Sequence, residues 1–142
     1  MSSIDKTMKK EYRELAEAAQ KAKLNAYAPF SKFAVGAALL TADAQIFTGC
    51  NIENNSYGLT ICAERVAIFK AISHGASKFK AIAIVSDYPG FTPPCGACRQ
   101  VLSDLTGNID FVMMNAKKRF KIIKLSSLLP FAFTGINLKQ SL

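Results

Sequence analysis

At 142 residues and 50% hydrophobic content, the chain can build one domain with a substantial core, and its apolar runs fall well short of the about 20 residues that a membrane-spanning helix needs. The opening Met1–Lys6 carries neither an apolar signal core nor a small-residue cleavage site, so the expectation is a single soluble domain over residues 1–142, cytoplasmic and with no membrane partner. The formal charge of +8 gathers into runs at Lys6, Lys9, Lys10 and at Lys117, Lys118, Arg119, Lys121, Lys124; such runs are usually solvated faces, and nucleic acid is not the expected partner.

Helical spacing first emerges over residues 7–25, where Leu15, Ala18, Ala19 and Ala22 recur among charges. Tyr27-Ala28-Pro29 ends it, because the residue before a proline is pushed out of helical geometry. Two apolar runs, Phe33–Leu40 and Ile46–Asn51, are joined by a short linker and predict an antiparallel hairpin. Residues 51–60 are polar and read as a loop. The spacing then predicts a helix over Cys62–Ser73, stopped by His74-Gly75, and a buried strand over Lys78–Ser86. Pro89-Gly90 and Pro93-Pro94 make the next connection rigid, and Gly96–Leu105 is a helix closed by Gly107. Ile109–Asn115 and Arg119–Leu125 complete the strands, with a short helical tail over Ser126–Phe133. Strands alternating with helices after an initial hairpin predict an α/β fold, a mixed five-stranded sheet covered by helices.

The chemistry sits in two cysteine clusters, Cys62-Ala63-Glu64-Arg65 and Pro94-Cys95-Gly96-Ala97-Cys98-Arg99. A Cys-x-x-Cys pair in a reducing compartment is metal-binding or redox-active. Both clusters fall at helix starts, where exposed N–H groups and partial positive charge stabilise thiolates. Three thiolates can hold a zinc ion while leaving one position open, which is what separates a catalytic from a structural zinc. Zinc lowers the pKa of a bound water to about 7, and Glu64, two residues past Cys62, is placed to take and return its proton. Zinc with three thiolates is net negative, so Arg65 is expected to donate to the sulfurs and restore acidity to the metal. Arg99 is open between the same role and a place at the surface.

Together these motifs resemble the zinc-dependent cytidine deaminases, specifically the small homotetrameric type with Cys at the first ligand position. Tyr27-Ala28-Pro29-Phe30-Ser31-Lys32-Phe33 and Gly49-Cys50-Asn51-Ile52-Glu53-Asn54 extend the likeness from about residue 12 to Leu129-Pro130. The resemblance implies a three-layer α-β-α fold and one zinc per subunit on Cys62, Cys95 and Cys98, with Glu64 as general acid and base. It also implies that Asn51 and Glu53 hold the ribose hydroxyls, that the Ala63 backbone meets the pyrimidine edge and that Phe33 walls the site. Tyr57 and Phe133 match residues reaching into a neighbouring subunit's site, and Phe131 stands where relatives often have glycine. The implied reaction is hydrolytic deamination of cytidine and 2′-deoxycytidine, with release of ammonia, in pyrimidine salvage.

Other readings stand beside this one. One is a deaminase of another cytosine compound, such as a blasticidin S-like nucleoside or a polynucleotide cytosine. Cys50 can complete a closed four-thiolate structural zinc in a nucleic-acid-binding module, or be a plain core residue. His74 is expected at a solvent-facing turn.

Overall fold

A computed structural model describes residues 7–135; the opening stretch with Lys6, and residues 136–142, lie outside the described residues. In chain order the elements are helix α1 (Lys10–Lys23), strands β1 (Val35–Thr41) and β2 (Ile46–Cys50), helix α2 (Ala63–Ser73), strand β3 (Phe79–Ser86), helix α3 (Gly96–Thr106), strands β4 (Asp110–Met114) and β5 (Phe120–Lys124), and helix α4 (Leu125–Leu128). The sheet order is β2-β1-β3-β4-β5. Within the sheet the β3–β4 pair is parallel, bridged by α3; the β1–β2, β1–β3 and β4–β5 pairs are antiparallel, so the expected mixed five-stranded sheet is present.

Strand alternation sends side chains to two cores. Ala38, Leu40, Ala81, Ala83, Val85, Val112 and Met114 face α1, whereas Ala37, Leu39, Ile82, Ile84, Phe111 and Met113 face α2 and α3, giving three layers. The buried stripe of α1 is Tyr12, Leu15, Ala16 and Ala19, one turn nearer the N-terminus than the alanine spacing predicts. Small residues let helices sit close to the sheet. A Cβ on Gly36 would lie 2.0 Å from the Ala19 carbonyl oxygen, and one on Gly49 would lie 2.4 Å from that of Ala63 and 2.6 Å from the Ala67 nitrogen.

Two local differences from the sequence reading have simple causes. The C-terminal helix is the single turn Leu125–Leu128 and does not reach Phe133, because Pro130 pushes Leu129 to an extended φ of −143°. Within the polar loop, Tyr57–Leu59 forms a short 3-10 turn. The loop is pinned by reciprocal backbone bonds between Ile52 and Ile61, each 3.0 Å, which bring residues 51–53 beside Cys62. Exposed Lys121 and Lys124 line the outer strand β5, where charge discourages edge-to-edge pairing. Among the described residues no helix is long and apolar enough to cross a membrane.

The seat of α2 on β2 therefore depends on the missing side chain at Gly49. Gly49→Ala is expected to lower stability by about 1–3 kcal/mol through overpacking; urea unfolding with an unshifted midpoint would show that α2 can back away freely.

Candidate active site

Helices α2 and α3 lie side by side on one face of the sheet, and the residue preceding each is a cysteine in extended geometry, Cys62 before α2 and Cys95 before α3. The Cys95 sulfur accepts the Cys98 backbone N–H at 3.4 Å, capping α3 with a thiol. The sulfurs of Cys62, Cys95 and Cys98 all lie within 4.8 Å of one another, and the Cys62–Cys95 separation is 3.7 Å. Two sulfurs at tetrahedral positions, each about 2.3 Å from a zinc ion, would sit about 3.8 Å apart, so the donor set fits this metal.

Cys50 is not in this group. It ends β2 half-buried, with its thiol pushed up by burial, as suits a packing residue. The closed four-thiolate reading therefore has no geometric basis. His74 is exposed at the end of α2, its ring 5.2 Å from that of Phe47.

Arg65 donates through Nη2 to the Cys62 sulfur at 3.5 Å. Within the cluster the Cys62 thiol is pulled down to about 5 by a hydrogen bond from the Cys98 thiol and by Arg65, while Cys98, the donor, is pushed up. Arg99 does something different from either sequence expectation. Its Nε donates to the Pro94 carbonyl at 2.9 Å and its Nη1 to the Leu128 carbonyl at 2.8 Å, so it grips backbone and not sulfur.

Glu64 is only 4% exposed. Burial, aided by the adjacent Cys62 charge, pushes its carboxyl up to about 7, the range in which one group can both take and give a proton at neutral pH. It opens onto a cavity of about 290 Å³ lined by Phe33, Asn51, Glu53, Cys62, Ala63 and Cys95, among others. The Cys62 and Cys95 thiols, Glu64 and the expected sugar-binding pair thus share one hollow.

Asn51 and Glu53 are held by backbone. The Asn51 amide accepts from the Val35 N–H at 2.9 Å and donates to the Phe33 carbonyl at 2.7 Å, fixing the segment that carries Phe33. A primary amide has two N–H donors, so one remains for a ligand. Glu53 accepts the Phe30 and Ser31 N–H groups at 2.8 and 3.1 Å; its carboxyl is held below the usual range by hydrogen bonds from Ser31 and from the Phe30 amide, with Lys32 nearby.

Tyr57 stands beside the cavity, sharing a hollow with Ser31, Glu53 and Thr60, whereas Phe133 lies apart, against α3. Tyr57 is 73% exposed and meets Phe30 edge-on at 5.3 Å; Phe133 is 79% exposed beside Phe69 and Leu105. Phe131 has a left-handed φ of 52°, a conformation natural to glycine. The sequence reading missed Asp87, which accepts the Ala34 N–H at 2.9 Å and pairs with Lys23 at 3.1 Å, steadying the same segment from the other side. It also missed Thr92 and Pro93 on the cavity wall, for which no spacing signal exists.

A profile of the family described as "Cytidine and deoxycytidylate deaminase zinc-binding region" matches residues 9–114. The chain is 46% identical over 129 residues to a cytidine deaminase of Sporosarcina psychrophila, covering 90% of this chain and 95% of that one. It is 49% identical over 122 residues to one from Halalkalibacterium halodurans, covering 85% and 92%. The crystal structure of cytidine deaminase from Burkholderia pseudomallei superposes with a TM-score of 0.84 at 46% identity, covering 89% of this chain and all of that one. That from Mycobacterium tuberculosis gives 0.75 at 40%, covering 86% and 96%.

The cluster geometry predicts how cysteine variants divide. Cys50→Ala should keep one zinc per chain by elemental analysis, and Cys98→Ala should lose most of it. Loss of zinc from the Cys50 variant would restore the four-thiolate site.

Proposed function

From the premise that the chain belongs to the cytidine and deoxycytidylate deaminase family, we propose that the 290 Å³ cavity takes free cytidine and 2′-deoxycytidine and releases ammonia with uridine or 2′-deoxyuridine. The observation that carries this reading is a buried carboxyl opening onto the same hollow as two of the three clustered thiols and the Asn51–Glu53 pair. Hydrolytic deamination of cytidine is the family's chemistry and this chain's activity.

Cys62, Cys95 and Cys98 are the residues that would hold the zinc. When bound, that ion supplies Lewis acidity, making a water molecule acidic near neutral pH. Glu64 takes one proton from the attacking water and delivers it to N3 of the pyrimidine. It then carries the second to the departing amine as the C4–N4 bond breaks, leaving a carbonyl at C4 and the carboxylate restored. Arg65 draws charge from the Cys62 sulfur and so preserves the site's acidity. Asn51, through its remaining N–H, and Glu53, through its carboxylate, bind the sugar hydroxyls as donor and acceptor. The Ala63 backbone orients the pyrimidine edge, and Phe33 closes one wall against water.

The sugar pair favours a free nucleoside, since a nucleotide within a strand has its 3′-oxygen esterified. Tyr57 and Phe133 complete the sites of neighbouring subunits in a homotetramer; their exposure supports that reading. Four free thiols suit a cytoplasmic place in pyrimidine salvage.

Loss of ultraviolet absorbance at cytidine's band reports turnover directly, and zinc-replete protein that leaves the band unchanged would rule out the proposal. Glu64→Gln should retain zinc and lose about 10³-fold or more in kcat. A variant within tenfold of the parent would remove Glu64 from the proton path.

A further inference from the structure

We propose that Arg99 is a positioning residue for the metal site, one guanidinium fixing both the loop that delivers Cys95 and the C-terminal segment that follows α4. This rests on the reading that Cys62, Cys95 and Cys98 hold zinc. Pro93 and Pro94 have no backbone N–H, so the stretch leading to Cys95 cannot brace itself with backbone donors. Its last carbonyl, on buried Pro94, instead receives the Arg99 Nε–H at 2.9 Å. The next carbonyl, of Cys95 itself, receives the Arg99 backbone N–H at 3.0 Å as part of the first turn of α3. Cys95 is thus held from both sides by one residue, which lies next to Cys98, the third ligand.

The other arm of the fork reaches the Leu128 carbonyl at 2.8 Å. That oxygen is one of the orphaned acceptors at the end of α4, and the nearby Pro130 offers no N–H to satisfy it. Gln100, the neighbour of Arg99, donates its side-chain amide to the Phe133 carbonyl at 3.1 Å. Two consecutive side chains of α3 therefore strap residues 128–133 to the helix carrying Cys98, but only Arg99 also touches the ligand loop. A planar guanidinium suits this place because its donors diverge at fixed angles; a lysine ammonium keeps the charge without the fork.

Three variants separate this role from simple bracing. Arg99→Ala and Arg99→Lys, as purified zinc-loaded proteins, are titrated with a chromophoric chelator, and their cobalt(II)-substituted forms are examined for the thiolate charge-transfer and d–d bands. Both should bind zinc about 10- to 100-fold more weakly, as expected for loss of a group that orients a ligand, with altered cobalt bands. Gln100→Ala, which cuts only the Phe133 tether, should leave zinc affinity and the cobalt spectrum unchanged.

The proposal is overturned if Arg99→Ala loses thermal stability while zinc affinity and cobalt bands stay at the parent's values, or if Arg99→Lys restores both. It is also overturned if Gln100→Ala weakens zinc as much as Arg99→Ala does. Should Arg99→Ala fail to fold, the lysine variant decides alone. Failure of the parent protein to take up zinc would refute the underlying reading instead, which keeps the two apart.

Discussion

Three sulfur atoms must share one small volume, and once ionised they repel. Two thiolates as close as the 3.7 Å between Cys62 and Cys95 oppose each other by about 4 kcal/mol at an effective dielectric constant of about 20. The fold answers this with two helix starts, α2 and α3, each bringing unpaired N–H groups and partial positive charge to the same point. That convergence requires the helices to sit side by side on one sheet face, and the close seat of α2 requires glycine at position 49. The parallel β3–β4 pair matters for the same reason: its crossover helix is α3, so the topology delivers Cys95 and Cys98 to the end of the sheet where Cys62 waits.

The same geometry creates opposite environments two residues apart. Cys62 stands at the helix cap with Arg65 beside it, and its charge is favoured. Glu64 has turned into the helix, into contact with the sheet-facing core, and its charge is disfavoured. In the proposed roles a cysteine ligand must be a thiolate and a proton carrier must be able to hold a proton; over the half turn from 62 to 64, hydrogen bonds keep the charge on Cys62 and burial favours the proton on Glu64. Arg65, one residue further, acts on the ligand and only weakly on the acid because it faces back toward the cap.

Much of this was legible in the sequence because it is local. Helix starts, glycine stops and the Cys-x-Glu spacing are short-range signals, and the mixed sheet and the gathering of Cys62, Cys95 and Cys98 are as they imply. What stayed hidden depends on contacts across the fold. Asn51 could be read as a ligand group, but its amide also bonds the backbone of Phe33 and Val35, eighteen and sixteen positions away, so it builds the wall as well as facing the cavity. Asp87 joins β3 to the start of β1 over fifty-three positions, and nothing in its local sequence marks it. The helical tail stops short of Phe133 because the proline at 130 acts sterically on the residue before it.

Arg65 and Arg99 occupy comparable places, three and four residues past the cysteines that cap α2 and α3, yet they do different work. Arg65 follows a loop whose backbone is already paired, since Ile61 bonds Ile52 in both directions; with the approach to Cys62 fixed, its guanidinium is free to face sulfur. Arg99 follows a loop ending in two prolines, which leaves the approach to Cys95 without donors of its own, and its guanidinium is drawn to carbonyl oxygen. The difference between a residue that tunes charge and one that sets position thus arises from the preceding loop. A rigid, donor-poor loop needs an external hydrogen bond to fix its end, and a self-paired loop does not.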